Sequence, residues 1–214
     1  MAHVLRFLTM VLLFAVLSTA PARPAGAQGG EWSNHAAAVP SKRTFVVPSP
    51  DRKRIIVVDG GQLSVAESGV VIPGGGGIDV LQSAEVLWAP DSKAFAVTAS
   101  DGSESGGWDI SVFVLENDRC NYYRVTADAV QRFLTRHACG DEEPNIGAVK
   151  WTKESKQLLI ALEIPRRSAC RDRGTAGGYV VNVPSGTIAV EYDGARLAED
   201  WGESLGRRLA RRTP

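Results

Sequence analysis

The sequence predicts a mainly β fold: about three repeats of four short strands, with one helix inserted and another at the C-terminus. Three observations carry this expectation. From residue 44 to residue 192, short apolar runs alternate with turn-forming residues. A Pro-Asp-x-Lys turn occurs as Pro50-Asp51-Arg52-Lys53 and again 40 residues later as Pro90-Asp91-Ser92-Lys93. Two segments, 129–137 and 195–212, switch to helical spacing of their apolar residues.

Residues 1–27 have the form of a secretory signal. His3 and Arg6 make a basic start, residues 7–17 are apolar except for Thr9, and Ala25-Gly26-Ala27 supplies a small-x-small cleavage pattern. That apolar run is shorter than the ~20 residues a membrane span needs. No Cys follows it to carry an N-terminal lipid. The mature chain is therefore expected in the periplasm or outside the cell, with no transmembrane segment. Lys plus Arg equal Asp plus Glu at 24 each, and the leader holds Arg6 and Arg23 but no acid. What remains is 22 against 24, near −2, a balance that creates no strong field for nucleic acid. All three cysteines, Cys120, Cys139 and Cys170, lie in the exported part, where an oxidising compartment permits one disulfide and leaves one thiol over.

Residues 28–43 are rich in Gly, Ala, Ser and Pro and read as a loosely ordered lead-in, with Trp32 packing back on the domain. The repeat domain covers 44–193. In its first repeat, strands over 44–47, 54–58, 62–66 and 70–72 are separated by the Pro50 turn, by Asp59-Gly60-Gly61 and by Glu67-Ser68-Gly69. Gly74 to Gly77 then form a linker; no Gly-Lys-Ser/Thr follows them, so they make no phosphate loop. The second repeat runs through 85–88, 94–99, 108–115 and 122–125. Next comes the inserted helix, whose Ala129, Val130, Phe133, Leu134 and His137 share one face and which Thr126 or Asp128 is placed to cap. The third repeat begins at 148–151, with Trp151 matching Trp88 and Lys153-Glu154-Ser155-Lys156 replacing the Pro-Asp turn. Its later strands cover 157–164, 179–183 and 187–192, with a long loop over 165–178. The tail, 194–214, reads as one amphipathic helix with a stripe of Leu197, Trp201, Leu205 and Leu209.

Four short strands at a period near 40 residues are the signature of a propeller blade. The turns at Pro48-Ser49-Pro50-Asp51-Arg52-Lys53 and Trp88-Ala89-Pro90-Asp91-Ser92-Lys93 resemble the blades of Trp-Asp-like propellers of the TolB and prolyl oligopeptidase kind. The resemblance covers 44 to about 192 and implies a partial or open propeller, because known propellers close with ~4 to 8 blades. Three blades stand as an open arc or combine with those of other chains in a homo-oligomer.

In such a blade successive strands are antiparallel, so connections alternate between two rims. The loop between strands two and three shares a rim with the crossover to the next blade. Cys139, in the crossover, and Cys170, in the loop of the third repeat, meet on that rim and are expected to pair. Cys120, in a turn on the opposite rim, is left as the free thiol. The same rim exposes Asp101, Glu104, Asp141, Glu142, Arg166 and Arg167 as candidate binding-loop residues.

No residues point to catalysis. A Gly-x-Ser-x-Gly elbow is absent, Asp141-Glu142-Glu143 lacks the ligand spacing of a cation loop, and His35 has no nearby partner. Serine chemistry needs a nucleophile, a base and an orienting group together. The expected function is thus a non-enzymatic binding or assembly module, without cofactor, that recognises a protein partner. A small-ligand sensor or hydrolase using the loops of one rim is the alternative, marked by a concave pocket where the loops after Gly77, Asp101, Thr126 and Pro165 meet.

Overall fold

The computed structural model describes residues 29–40, 43–74, 83–100, 102, 107–137, 139, 142–153 and 155–210. The leader lies outside them. Among these residues thirteen strands form three antiparallel sheets, with few helices and no closed barrel.

The first sheet has the order β2 (Phe45–Pro48), β3 (Arg54–Asp59), β4 (Gln62–Glu67) and β5 (Val70–Val71). The second runs β1 (Ala37–Pro40), β6 (Ser83–Trp88), β7 (Ala94–Ser100), β8 (Trp108–Glu116) and β9 (Arg119–Tyr123). In the third, β10 (Asn145–Thr152), β11 (Gln157–Glu163), β12 (Ala176–Asn182) and β13 (Ile188–Asp193) follow chain order. The helix α1 (Ala127–Arg136) connects the second sheet to the third, and α2 (Gly194–Trp201), a 3₁₀ turn (Gly202–Ser204) and α3 (Arg207–Ala210) form the tail.

Alternation explains which faces meet. In the first sheet Val47, Ile56 and Val65 lie in one register row and are buried, while their neighbours Val46 and Val57 point the other way. The buried row packs with Val86, Phe95, Val97 and Phe113 of the second sheet. Ala96, Ile110 and Val112, on the second sheet's opposite face, pack with Ile146, Leu158 and Ile160 of the third and with Phe133 of α1. The third sheet's far face, through Val149, Leu159 and Val180, is covered by Leu197, Leu205, Leu209 and Trp32. Since both its faces are covered, β11 has no exposed side, and residues 158–162 form an unbroken apolar run, all buried.

The tight turns share a backbone state. Arg52, Ser92 and Ser155 sit at the same place in the three turns between first and second strands, with φ of 60°, 62° and 67°. The third turn has lost Pro and Asp but keeps this left-handed position. Left-handed backbone is uncommon for residues other than Gly, and it closes the turn in each sheet.

Two expectations are corrected. The segment read as a loose lead-in is part of the fold: Ala37–Pro40 pairs with β6 in the register Ala37↔Val86 to Pro40↔Ser83, and Trp32 is fully buried. The tail is not one helix. Its stripe does dock on the third sheet, but the helical path through α2 and the 3₁₀ turn stops at Leu205 (φ −68°, ψ 134°), and the backbone N–H groups of the next residues turn to the N-terminal segment. Gly206 N–H donates to Trp32 O at 2.8 Å, Arg208 N–H donates to Glu31 O at 2.8 Å, and Ser33 bridges to Leu205. A side chain at Gly206 would come within 2.5 Å of the Glu31 carbonyl carbon, so only Gly allows this approach.

Candidate binding site

The inserted helix connects the second sheet to the third and lines a cleft together with both. One side of α1 is held firmly. Ala129 and Phe133 are buried, the Phe133 ring packs on Gly177, and His137 Nδ1 meets Asp172 Oδ2 at 2.9 Å while its ring lies 4.7 Å from that of Phe133. Arg136 pairs with Glu191 at 2.5 Å. Just beyond the helix, Cys139 is joined to Cys170 with Cα atoms 5.0 Å apart, the pairing expected from the rim argument. By the chain-entropy account, closing a loop of 31 residues stabilises by about 3–4 kcal/mol. His137 is thus absorbed in fastening the helix. His35 reaches Ser204 Oγ at 3.3 Å, on the tail.

The other side of α1 forms the wall of a cleft of about 830 Å³. Val130 and Leu134 of the helix face Ile146 of β10 and Trp108 and Ala99 of the second sheet. A second hollow of about 420 Å³ shares Gly107, Glu143 and Asn145 with it and extends to Pro165, Arg167 and Ser168. The depression therefore joins the β7–β8 connection, the α1 crossover and the β11–β12 loop. Volumes of this size are typical of small-molecule sites.

The cleft floor is braced from below. Asn145, buried, accepts from Trp108 N–H at 3.1 Å and donates to Glu163 at 3.3 Å. Arg208 of the tail donates to the same Glu163 oxygen at 2.5 Å, and its guanidinium lies over Trp32 at 5.3 Å and Trp108 at 5.9 Å. Tail, N-terminal segment and cleft floor are therefore one connected network.

Three charged residues line the mouth: Arg124, Asp109 and Glu143. None makes an ion pair among the described residues. Thr126 stands at the N-cap of α1, is 6% exposed, lines the cleft and makes no side-chain bond to the helix. Its backbone is helical there (φ −99°, ψ −15°), whereas a capping Thr takes non-helical backbone to reach an N–H of the first turn.

Of the rim residues named from the sequence, Asp101, Glu104 and Asp141 lie outside the described residues. Glu142 receives a hydrogen bond from Ser168 Oγ, in the second hollow. Arg167 lines that hollow, and Arg166 is exposed on the same loop. Sequence reasoning did not single out Arg124, and it named Thr126 as a helix cap and as the start of one loop of an expected pocket. Cys120 is free and buried, as the odd thiol; it sits within β9 rather than in a turn, opposite Leu115. Burial pushes its thiol up to about 11, which keeps it an unreactive thiol. Among the described residues no group of three His, Cys, Asp or Glu is placed to hold a metal ion, and no helix is long and apolar enough to cross a membrane.

No protein-family model matches the chain, and no curated protein matches it. The likeness to Trp-Asp-type blades therefore rests on the turn residues alone.

Proposed function

We propose that this chain is an exported, non-enzymatic binding module built from propeller-like sheets, with the rim cleft beside α1 as its binding site. One observation carries the reading: connections from three distant parts of the chain line an apolar hollow whose charged residues, Arg124, Asp109 and Glu143, make no ion pair among the described residues. The signal-like leader and the Cys139–Cys170 disulfide support an oxidising, exported setting. The test is a small-molecule screen on the mature chain by ligand-observed NMR. Hits that compete with one another and lose binding in Leu134→Glu support the cleft. A screen whose hits ignore that substitution overturns it.

A second reading, docking of a protein partner, is favoured by the first sheet's outer face. Val46 and Val71, on that face, are 47% and 61% exposed. Crosslinking and pull-down from the native envelope with Val46→Lys as the comparison tests it. A partner captured equally by both forms would rule out this face.

A further inference from the structure

We infer that the cleft binds an apolar monocarboxylate, a medium-chain aliphatic acid, with its carboxylate at the N-terminus of α1 between Arg124 and Thr126. This rests on the cleft being the binding site. The first ladder bond of α1 is Val130 N–H to Thr126 C=O at 2.9 Å, so the N–H groups of Ala127, Asp128 and Ala129 have no acceptor within the helix. Unused N–H groups at a ten-residue helix's start, together with its dipole, favour an anion there. The independent sign of a ligand is Thr126. Its side chain is more than nine-tenths buried, lines the cleft and makes no bond to the helix, whose backbone conformation already includes it (φ −99°, ψ −15°). Two residues earlier, Arg124 lines the same cleft with no ion pair among the described residues, and a guanidinium grips a carboxylate through two parallel bonds.

The rest of the hollow selects the remainder of the ligand. Along α1 from Thr126 to Leu134 the helix rises about 12 Å, at ~1.5 Å per residue. Over that length the wall presents Ala127, Val130 and Leu134, with Ile146 opposite, which suits a hydrocarbon chain. Asp109 and Glu143 also line the cleft and repel any second negative group, so a diacid or a polyphosphate is disfavoured. Asp128, in the first turn, is exposed and does not line the cleft.

Calorimetric titration of the full mature chain with decanoate, decan-1-ol and decanedioate tests the inference. Decanoate is expected to bind best. Arg124→Gln should weaken it about tenfold or more, the weight of a charge-assisted bond, and Thr126→Val should weaken it several-fold. Both variants should keep the parent's melting temperature, and decan-1-ol should be indifferent to Arg124→Gln. If decanoate and decan-1-ol bind equally and Arg124→Gln alters neither, while Leu134→Glu abolishes both, the cleft stands as a binding site but the carboxylate inference falls. Decanoate binding that survives Leu134→Glu, or no binding by any of the three probes, overturns it as well.

Discussion

Trp88 and Trp151 make the same bond one sheet apart: each indole N–H donates to a first-strand carbonyl of the preceding sheet, Trp88 to Val47 O at 3.4 Å and Trp151 to Leu87 O at 2.9 Å. The two acceptors are themselves equivalent positions. The indoles therefore set how one sheet sits on the next, in addition to filling space. Trp151 is buried and its bond is the shorter, so its loss should cost more. Trp151→Phe is expected to destabilise by about 1–3 kcal/mol, the range for leaving a buried carbonyl unsatisfied. Trp88→Phe should cost less. Urea unfolding with an unchanged m-value checks both.

Gly147 makes room for Trp32. A Cβ at Gly147 would stand 1.8 Å from Cδ2 of the indole, far inside contact distance. Gly147→Ala must therefore expel the Trp32 ring from the third sheet's far face. A loss of about 3 kcal/mol is expected, at the upper end for overpacking. Red-shifted Trp emission together with a lowered Tm would confirm that the ring has moved into water.

Glu163 is fully buried and shares Arg208 and Asn145 as partners. Removing one side of a buried pair strands the other charge. Arg208→Gln should thus destabilise by about 3–5 kcal/mol. In Arg208→Gln/Glu163→Gln the stranded charge is gone, and much of the stability should return. A double-mutant cycle by chemical denaturation measures the coupling.

The pH dependence follows from Glu85. Burial pushes its carboxyl up to about 7 from 4.5, against the pull of the N–H groups of Glu31, Trp32 and Ser33 that point at it. The folded state therefore holds a proton that the unfolded chain releases. Glu85's stabilising contribution is complete below about pH 4.5, falls as pH rises to about 7, and is level above that. Unfolding free energy measured across this window should decline for the parent and decline less for Glu85→Gln.

The strands of the three sheets could be read from the sequence because turn chemistry marks nearly every break. Asp59-Gly60-Gly61, the two Pro-Asp turns and Pro184-Ser185-Gly186 all lie between elements. The pairing of Cys139 with Cys170 was accessible for the same reason, since knowing the strand order tells which loops share a rim. What could not be read depended on distant partners. Ala37–Pro40 lacks alternation and ends in Pro, so it reads as loop; it becomes a strand because β6 has an edge to offer. The four-residue stripe of the tail was visible, but the break at Gly206 is imposed by Glu31, 175 positions away. Glu85 and Glu163 are charged residues on strands, yet both are buried under segments from the two ends of the domain. Arg124 is an ordinary residue in a linear reading and becomes a candidate only once α1, β8 and β10 line one hollow.

The tail finishes one end of the stack, while the first sheet leaves its outer face bare at the other. Stacking a further sheet on the third would need the surface that Leu197, Leu205 and Leu209 already occupy. In that sense the tail takes the place that a next sheet would hold.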